Sequence, residues 1–212
     1  MPGRFITFEG GEGGGKSSQL LRLAKRLRER GIGILCSREP GGTELAEEIR
    51  KLLVRRSGAD SLAAETEWLL VTAARFEHVR RVIRPALQEG SWVLCDRFFD
   101  STLAYQGFGR GLNTEMLQRL QTMLFPDLRP DLTLLLDVSP EVGLARSRGG
   151  EKGEDRFETE SLLFHQRVRQ GFLTLAAEES RRIRVIDAAL SEEQVSTAIW
   201  QQVTDVFLSD LS

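Results

Sequence analysis

The 212-residue chain carries 29 lysines and arginines against 31 aspartates and glutamates, a formal charge of −2, with 41% hydrophobic and 28% charged residues. This length and balance fit one globular domain with a full core. They exclude a disordered chain and a broad nucleic-acid binder, which would show strong positive charge.

In chain order, the continuous apolar run Arg4–Phe8 is the first expected strand. It is too short for an export signal, and no apolar run reaches the ~18 residues of a membrane span. Leu20, Leu21, Ala24, Leu27 and Arg28 place a stripe on a helix that ends at Gly31. Ile32–Cys36 follows as a strand, and Leu45, Ile49, Leu52 and Leu53 mark a second helix. Ala63–Gln88 reads as one long helix, kinked near Pro85. Trp92–Cys95 is a strand, Thr114–Phe125 a helix and Leu132–Asp137 a strand. Arg146–Glu158, RSRGGEKGEDRFE, is too polar and glycine-rich to pack, and suits a solvated loop or a mobile lid over a polyanion. Leu162–Ala177 is a helix and Ile183–Ile186 the last strand. Ser191 caps a final helix that runs to about Leu208, with Glu192 and Glu193 in its first turn.

The strands are continuous rather than alternating, which suits burial on both faces of a parallel sheet. Strand–helix alternation without a linker predicts a single α/β domain over 1–212. Two cysteines, Cys36 and Cys95, cannot form a disulfide framework, so a reducing cytoplasm is the expected setting. Both read as small buried hydrophobes. His78 and His165 lie on expected helices without metal-ligand partners and read as surface or packing residues. Met116, Met123, Trp68 and Trp200 read as core or dimer packing.

Gly10, Gly11, Glu12, Gly13, Gly14, Gly15, Lys16 and Ser17 fit the P-loop pattern G-x-x-x-x-G-K-[ST], with a strand before it and a helix after. Glycines let backbone N–H groups wrap a phosphate, and the helix adds its positive dipole end. Lys16 would reach the β- and γ-phosphates of ATP, and the Ser17 hydroxyl would ligate Mg²⁺. Asp96 ends the third strand beside the loop and can hold Mg²⁺ through water. Arg97 then projects into the crevice as an anchor for a second phosphate. The loop alone leaves switches, ATP-driven machines and small-molecule kinases open.

Further motifs narrow the choice. They are Arg38-Glu39-Pro40-Gly41-Gly42-Thr43, Asp96-Arg97-Phe98, Ser101-Thr102-Leu103-Ala104-Tyr105-Gln106-Gly107, Pro130-Asp131-Leu132 and Asp155-Arg156-Phe157-Glu158. In this order they resemble bacterial thymidylate kinase, a nucleoside monophosphate kinase that phosphorylates dTMP with ATP. The resemblance runs from about Phe5 to Asp187. It implies a three-layer P-loop fold with a five-stranded parallel sheet, a homodimer and a mobile lid at about 146–158. Catalysis would fall to Lys16, Arg97, Glu12 and a lid cation, Arg148 first among Arg146, Arg148 and Lys152. Glu12 would lie near the sugar 3′-hydroxyl. Arg38 and Arg97 would hold the dTMP phosphate and Arg75 the thymine edge. Ser101, Thr102, Tyr105 and Gln106 would line the base and sugar pocket. The chain departs from the family at two positions. Val71 stands where family members commonly stack a phenylalanine on thymine, so stacking is weaker here or comes from Phe98, Phe99 or Phe108. Gly13 stands where some members carry an arginine. The nearest rivals are a deoxynucleoside kinase and a non-catalytic ATP-binding switch.

Overall fold

The structure, a computed structural model, describes residues 3–54, 62–148 and 156–208. Strands β1 (Phe5–Glu9), β2 (Ile34–Arg38), β3 (Trp92–Asp96), β4 (Leu132–Asp137) and β5 (Ile183–Asp187) form one parallel sheet in the order β2-β3-β1-β4-β5. The chain steps outward on one side of β1 and later on the other. The carboxyl ends of β1, β3 and β4 therefore flank the crevice where such sheets bind ligands.

The central strands are buried on both faces because helices cover both. On one face Ile6, Phe8, Leu94 and Leu134 meet Leu23 and Leu27 of α1 (Lys16–Arg28) and Ile199 of α9 (Glu192–Val203). On the other, Leu135 and Ile183 meet Phe164 and Phe172 of α8 (Leu162–Glu178). This is the expected three-layer architecture. The edge strands differ from expectation. β2 is only half-buried and begins at Ile34 rather than Ile32, and β5 is buried at Ile183 and Ile186 but exposed at Val185.

Two helical stripes are narrower than the sequence pattern implies. In α1 the buried positions are Lys16, Gln19, Leu20, Leu23, Ala24 and Leu27, while Leu21 is exposed. In α2 (Glu44–Val54), Ala46, Ile49 and Leu53 pack on α3 (Ala64–His78) through Val71 and Ala74, while Leu45 and Leu52 are exposed. The long helix predicted over Ala63–Gln88 is interrupted. After α3 the backbone widens into a π-helical turn, Val79–Ile83, before α4 (Arg84–Gln88). Pro85 has no N–H and its ring crowds the preceding turn, so the backbone opens ahead of it.

Periodicity did not reveal α5 (Phe99–Thr102) or the π-helical run Leu103–Gly109 that continues it. Then come α6 (Thr114–Leu124), capped by the Asn113 side chain, and α7 (Pro140–Arg148). The capping box of α9 at Ser191 and Gln194 matches its expected start, and its last expected turn is π-helical, Thr204–Leu208. Of the lid expected over 146–158, residues 149–155 lie outside the described residues. Its first residues end α7, and its last begin a 3₁₀ turn, Arg156–Thr159. Among the described residues no helix is long and apolar enough to cross a membrane.

Candidate active site

β1 enters the glycine loop and α1 leaves it. Gly13 (φ 66°) requires the left-handed region, and a Cβ there would lie 1.9 Å from the Gly143 carbonyl oxygen of α7. Glycine therefore lets α7 dock closely on the loop, and a side chain at this position would force the loop or α7 to shift. The Lys16 Nζ donates to the carbonyls of Gly11 (2.7 Å) and Gly10 (3.3 Å). Burial, with Arg97 nearby, lowers its pKa against the pull of Glu12, Asp96 and Glu9. The Ser17 hydroxyl donates to Asp96 Oδ2 at 2.5 Å. Among the described residues no group of three or more acidic, histidine or cysteine side chains could hold a metal. A hydroxyl and one carboxylate at a phosphate loop fit Mg²⁺, which keeps waters and takes phosphate oxygens as its other ligands.

Arg97 is the hinge between this loop and a second cavity. It is the one non-glycine residue with positive φ among the described residues, at 70°. That conformation is costly for a side chain with a Cβ, and surrounding bonds hold it. The Arg97 N–H donates to the Phe8 carbonyl at 2.9 Å. Its Nη1 donates to the Gly10 carbonyl (2.8 Å) and Ser101 Oγ (3.2 Å), and its Nη2 to Glu12 Oε1 (2.8 Å). The Tyr105 hydroxyl donates to the same Glu12 oxygen at 2.7 Å. Burial alone would raise the Glu12 pKa, but Arg97, Lys16 and the Tyr105 hydrogen bond together bring it from 4.5 to about 2.

Beneath Arg97 lies Glu9, fully buried. It accepts the Phe98 N–H at 2.7 Å and the Ser101 hydroxyl at 2.5 Å, so it fixes the backbone that follows Arg97. Burial, then the Asp100 charge, raises its pKa from 4.5 to about 8 against those bonds and Arg97. Asp100 is held in turn by both Nη groups of Arg182, at 2.7 and 2.8 Å.

The second cavity is a half-open cleft of about 110 Å³. Glu12, Val71, Arg75, Arg97, Ser101, Thr102, Tyr105 and Gln106 all line it, so eight of the residues singled out in the sequence converge on one volume. Glu39, Pro40, Leu53, Phe98 and Phe157 also line it, and none was assigned a definite place there from sequence. Arg75 is only 2% exposed; its Nε donates to Glu39 Oε2 (2.7 Å), and its Nη2 to the Phe98 carbonyl (3.2 Å) and Thr102 Oγ1 (2.8 Å). Tyr105 stands edge-on to Phe157, Phe164 and Phe172.

Other expected residues lie elsewhere. Arg38 does not line the cavity, and its guanidinium donates to Glu47 at 2.9 Å, a largely exposed pair. The Arg146 Nη1 donates to the Ala188 carbonyl at 2.7 Å, so this lid candidate is tied to the end of β5. The Arg148 side chain and all of Lys152 lie outside the described residues. Phe108 packs against Gly171, and Phe99 faces a different cleft. His78 is completely buried and His165 nearly so, which corrects the surface alternative for both. Trp200 packs partly buried against the core, as expected, and also has the guanidinium groups of Arg26 (3.9 Å) and Arg30 (4.5 Å) over its ring.

The missed carboxylates had weak signals. Glu9 is an acidic residue that closes an apolar strand, and Glu39 sits inside a motif from which only Arg38 was assigned a role.

A family model described as thymidylate kinase matches residues 8–199. A thymidylate kinase of Magnetococcus marinus is 54% identical over 209 residues, 98% of each chain. One from Thermomicrobium roseum is 53% identical over 202 residues, 95% of each chain. The crystal structure of thymidylate kinase from Ehrlichia chaffeensis superposes with a TM-score of 0.77 at 34% identity, covering 96% of this chain and 99% of that one.

Proposed function

The chain belongs to the thymidylate kinase family, and we propose that it transfers the γ-phosphoryl group of ATP to dTMP, giving dTDP and ADP. The observation that carries this reading is the sharing of Arg97 and Glu12 between the glycine loop and a half-open, base-sized cavity. A switch protein needs the loop alone. The adjoining cavity with arginines at both ends suits an acceptor that is itself a nucleotide.

Phosphoryl transfer asks for positioning and charge neutralisation more than for covalent chemistry. Lys16 and the N-terminus of α1 meet the ATP phosphates. Arg97 reaches from the loop into the cavity and meets the dTMP phosphate; Arg38 joins it by turning away from Glu47. Ser17, and Asp96 through water, would hold Mg²⁺, which would neutralise charge on the ATP phosphates. Glu12 fixes Arg97 and Tyr105 and lies at the sugar end of the cavity. The Tyr105 ring, braced by phenylalanines, leaves little room for a ribose 2′-hydroxyl. Ser101, Thr102 and Gln106 complete the wall, and Arg148 supplies a further cation from the lid.

We also place the enzyme in the cytoplasm as a homodimer. Cys36 and Cys95 are free thiols, which fits a reducing compartment. Met116 and Met123 on α6 are exposed and line a groove with Trp68, and Leu69 on α3 is also exposed, which suits burial against a second copy.

ADP release with ATP alone, with dTMP and with thymidine separates the readings. We expect release only with dTMP. Release with thymidine would indicate a deoxynucleoside kinase, and release without any acceptor an ATPase. Lys16→Ala should remain folded and lose at least about a hundredfold in rate, because the proposed partner of the amine is ligand phosphate.

A further inference from the structure

His78 has no place in the reaction as derived, yet it is completely buried and both ring nitrogens are engaged. Its Nδ1 lies 3.0 Å from Glu39 Oε1, and its Nε2 lies 2.6 Å from Ser37 Oγ. A carboxylate only accepts, so Nδ1 carries a proton toward Glu39, while Nε2 and the Ser37 hydroxyl share the second hydrogen bond. The other Glu39 oxygen accepts the Arg75 Nε–H at 2.7 Å. One buried chain thus runs from Ser37 through His78 and Glu39 to Arg75 and ends on Thr102. Room for the ring comes from Gly42 (φ 85°), where a Cβ would lie 2.4 Å from His78 Cδ2.

This chain determines what Arg75 can offer. Nε and Nη2 are spent on protein acceptors, and among the described residues Nη1 has no protein acceptor. The positive charge is matched by Glu39, which is 3% exposed. A free guanidinium at the base end would compete with Arg97 for phosphate; a compensated one with a single open donor group favours a neutral carbonyl. Held there, it also penalises an amino group in the same place, because two donors would face each other in a buried site.

We propose that His78 is a positioning residue that, through Glu39, fixes Arg75 as a carbonyl reader and so sets the preference for thymine over cytosine. This rests on the reading of the cavity as the dTMP site. Without the His78 N–H, Glu39 Oε1 is buried with no donor, the carboxylate turns, and Arg75 loses its fixed edge.

The test compares KM for dTMP, KM for ATP and the kcat/KM ratio of dTMP to dCMP in wild type and variants. His78→Phe keeps the ring volume and removes the donor. It should raise the dTMP KM about tenfold, equivalent to ~1.4 kcal/mol, and lower the base preference by a similar factor. The ATP KM should stay within about twofold, since no proposed ATP contact involves this chain. His78→Asn, whose amide nitrogen overlays Nδ1, should restore most of the preference. Ser37→Ala, a milder change at the far ring nitrogen, should shift the same constants by less and serves if the histidine variants fold poorly. Parallel rises in both KM values, an unchanged base ratio, or no rescue by asparagine would overturn the proposal. Wild type that turns over dTMP with unaltered selectivity in every variant removes this inference alone; wild type inactive on dTMP removes the functional reading beneath it as well.

Discussion

Val71 stands where α2 and α3 meet and also where the base would lie: it packs with Leu53 and Ala74 and lines the cavity. The aromatic residues on the cavity do not replace a ring at this point. Phe98 is 1% exposed and packed edge-on to Phe5 at 4.9 Å, so it is a fixed wall. Phe157 stands edge-on to Tyr105 at 5.7 Å. An aromatic face adds roughly 0.5–1.5 kcal/mol beyond its buried area. Val71→Phe should therefore tighten dTMP, by up to about tenfold at the upper end of that range. Calorimetric titration of dTMP against both proteins measures it. Weaker binding together with a lower melting temperature would mean that the new ring overpacks the α2–α3 contact instead of entering the cavity.

At the scale of elements, one ion cluster ties three parts of the chain together. Glu67 of α3 is completely buried and accepts from Gln106 Nε2 (2.7 Å) and Arg110 Nη2 (3.1 Å). Arg110 also pairs with Glu160 at 2.7 Å, just after the 3₁₀ turn that carries Phe157, and lies 4.6 Å over the Phe164 ring. Removing one partner of a buried pair costs roughly 3–5 kcal/mol, because the other charge stays behind. Arg110→Ala should lose stability on that order in urea titrations, and adding Glu67→Gln should recover part of it. Additive losses would mean that Glu67 does not depend on Arg110.

The same cluster shows what could be read from sequence. The glycine loop was legible because its requirements are local: positive φ, close approach to α7, and Lys-Ser at the helix start. The central strands were legible because burial on both faces leaves continuous apolar runs. The Glu39–Arg75 bond spans 36 residues and the Gln106–Glu67 bond spans 39, and a buried glutamate looks like a solvated one until its partner is placed. The stripes failed at Leu21, Leu45 and Leu52, where apolar side chains remain exposed. The site residues carried over from the resemblance met in one cavity, save Lys16, which stays in the glycine loop, Arg38 and the lid cations.

For the whole molecule, two carboxylates a loop apart pull stability in opposite directions with pH. Glu9 has its folded pKa raised to about 8, so between its ordinary 4.5 and that value the folded chain holds a proton that the unfolded chain has released. Stability from this group is complete below about pH 4.5 and is lost as pH rises through 8. Glu12 is the reverse. Its folded pKa of about 2 lies below the ordinary 4.5, so its contribution is complete above that value and is lost as pH falls toward 2. The groups around Glu9 set its side of the balance: Asp100 opposes ionisation, while Ser101, Arg97 and the Phe98 N–H favour it, and burial outweighs them all. The melting temperature should therefore peak on the acidic side of neutrality, near pH 5, and decline through pH 8. Glu9→Gln cannot ionise and should flatten the alkaline decline while leaving the acid limb in place. Glu12→Gln should do the opposite, blunting the fall below about pH 4.5. Thermal melts of the three proteins across this range decide the point. An alkaline slope that is the same with and without the Glu9 carboxyl would mean that Glu9 is ionised throughout, held as a permanent anion by its two donors and Arg97.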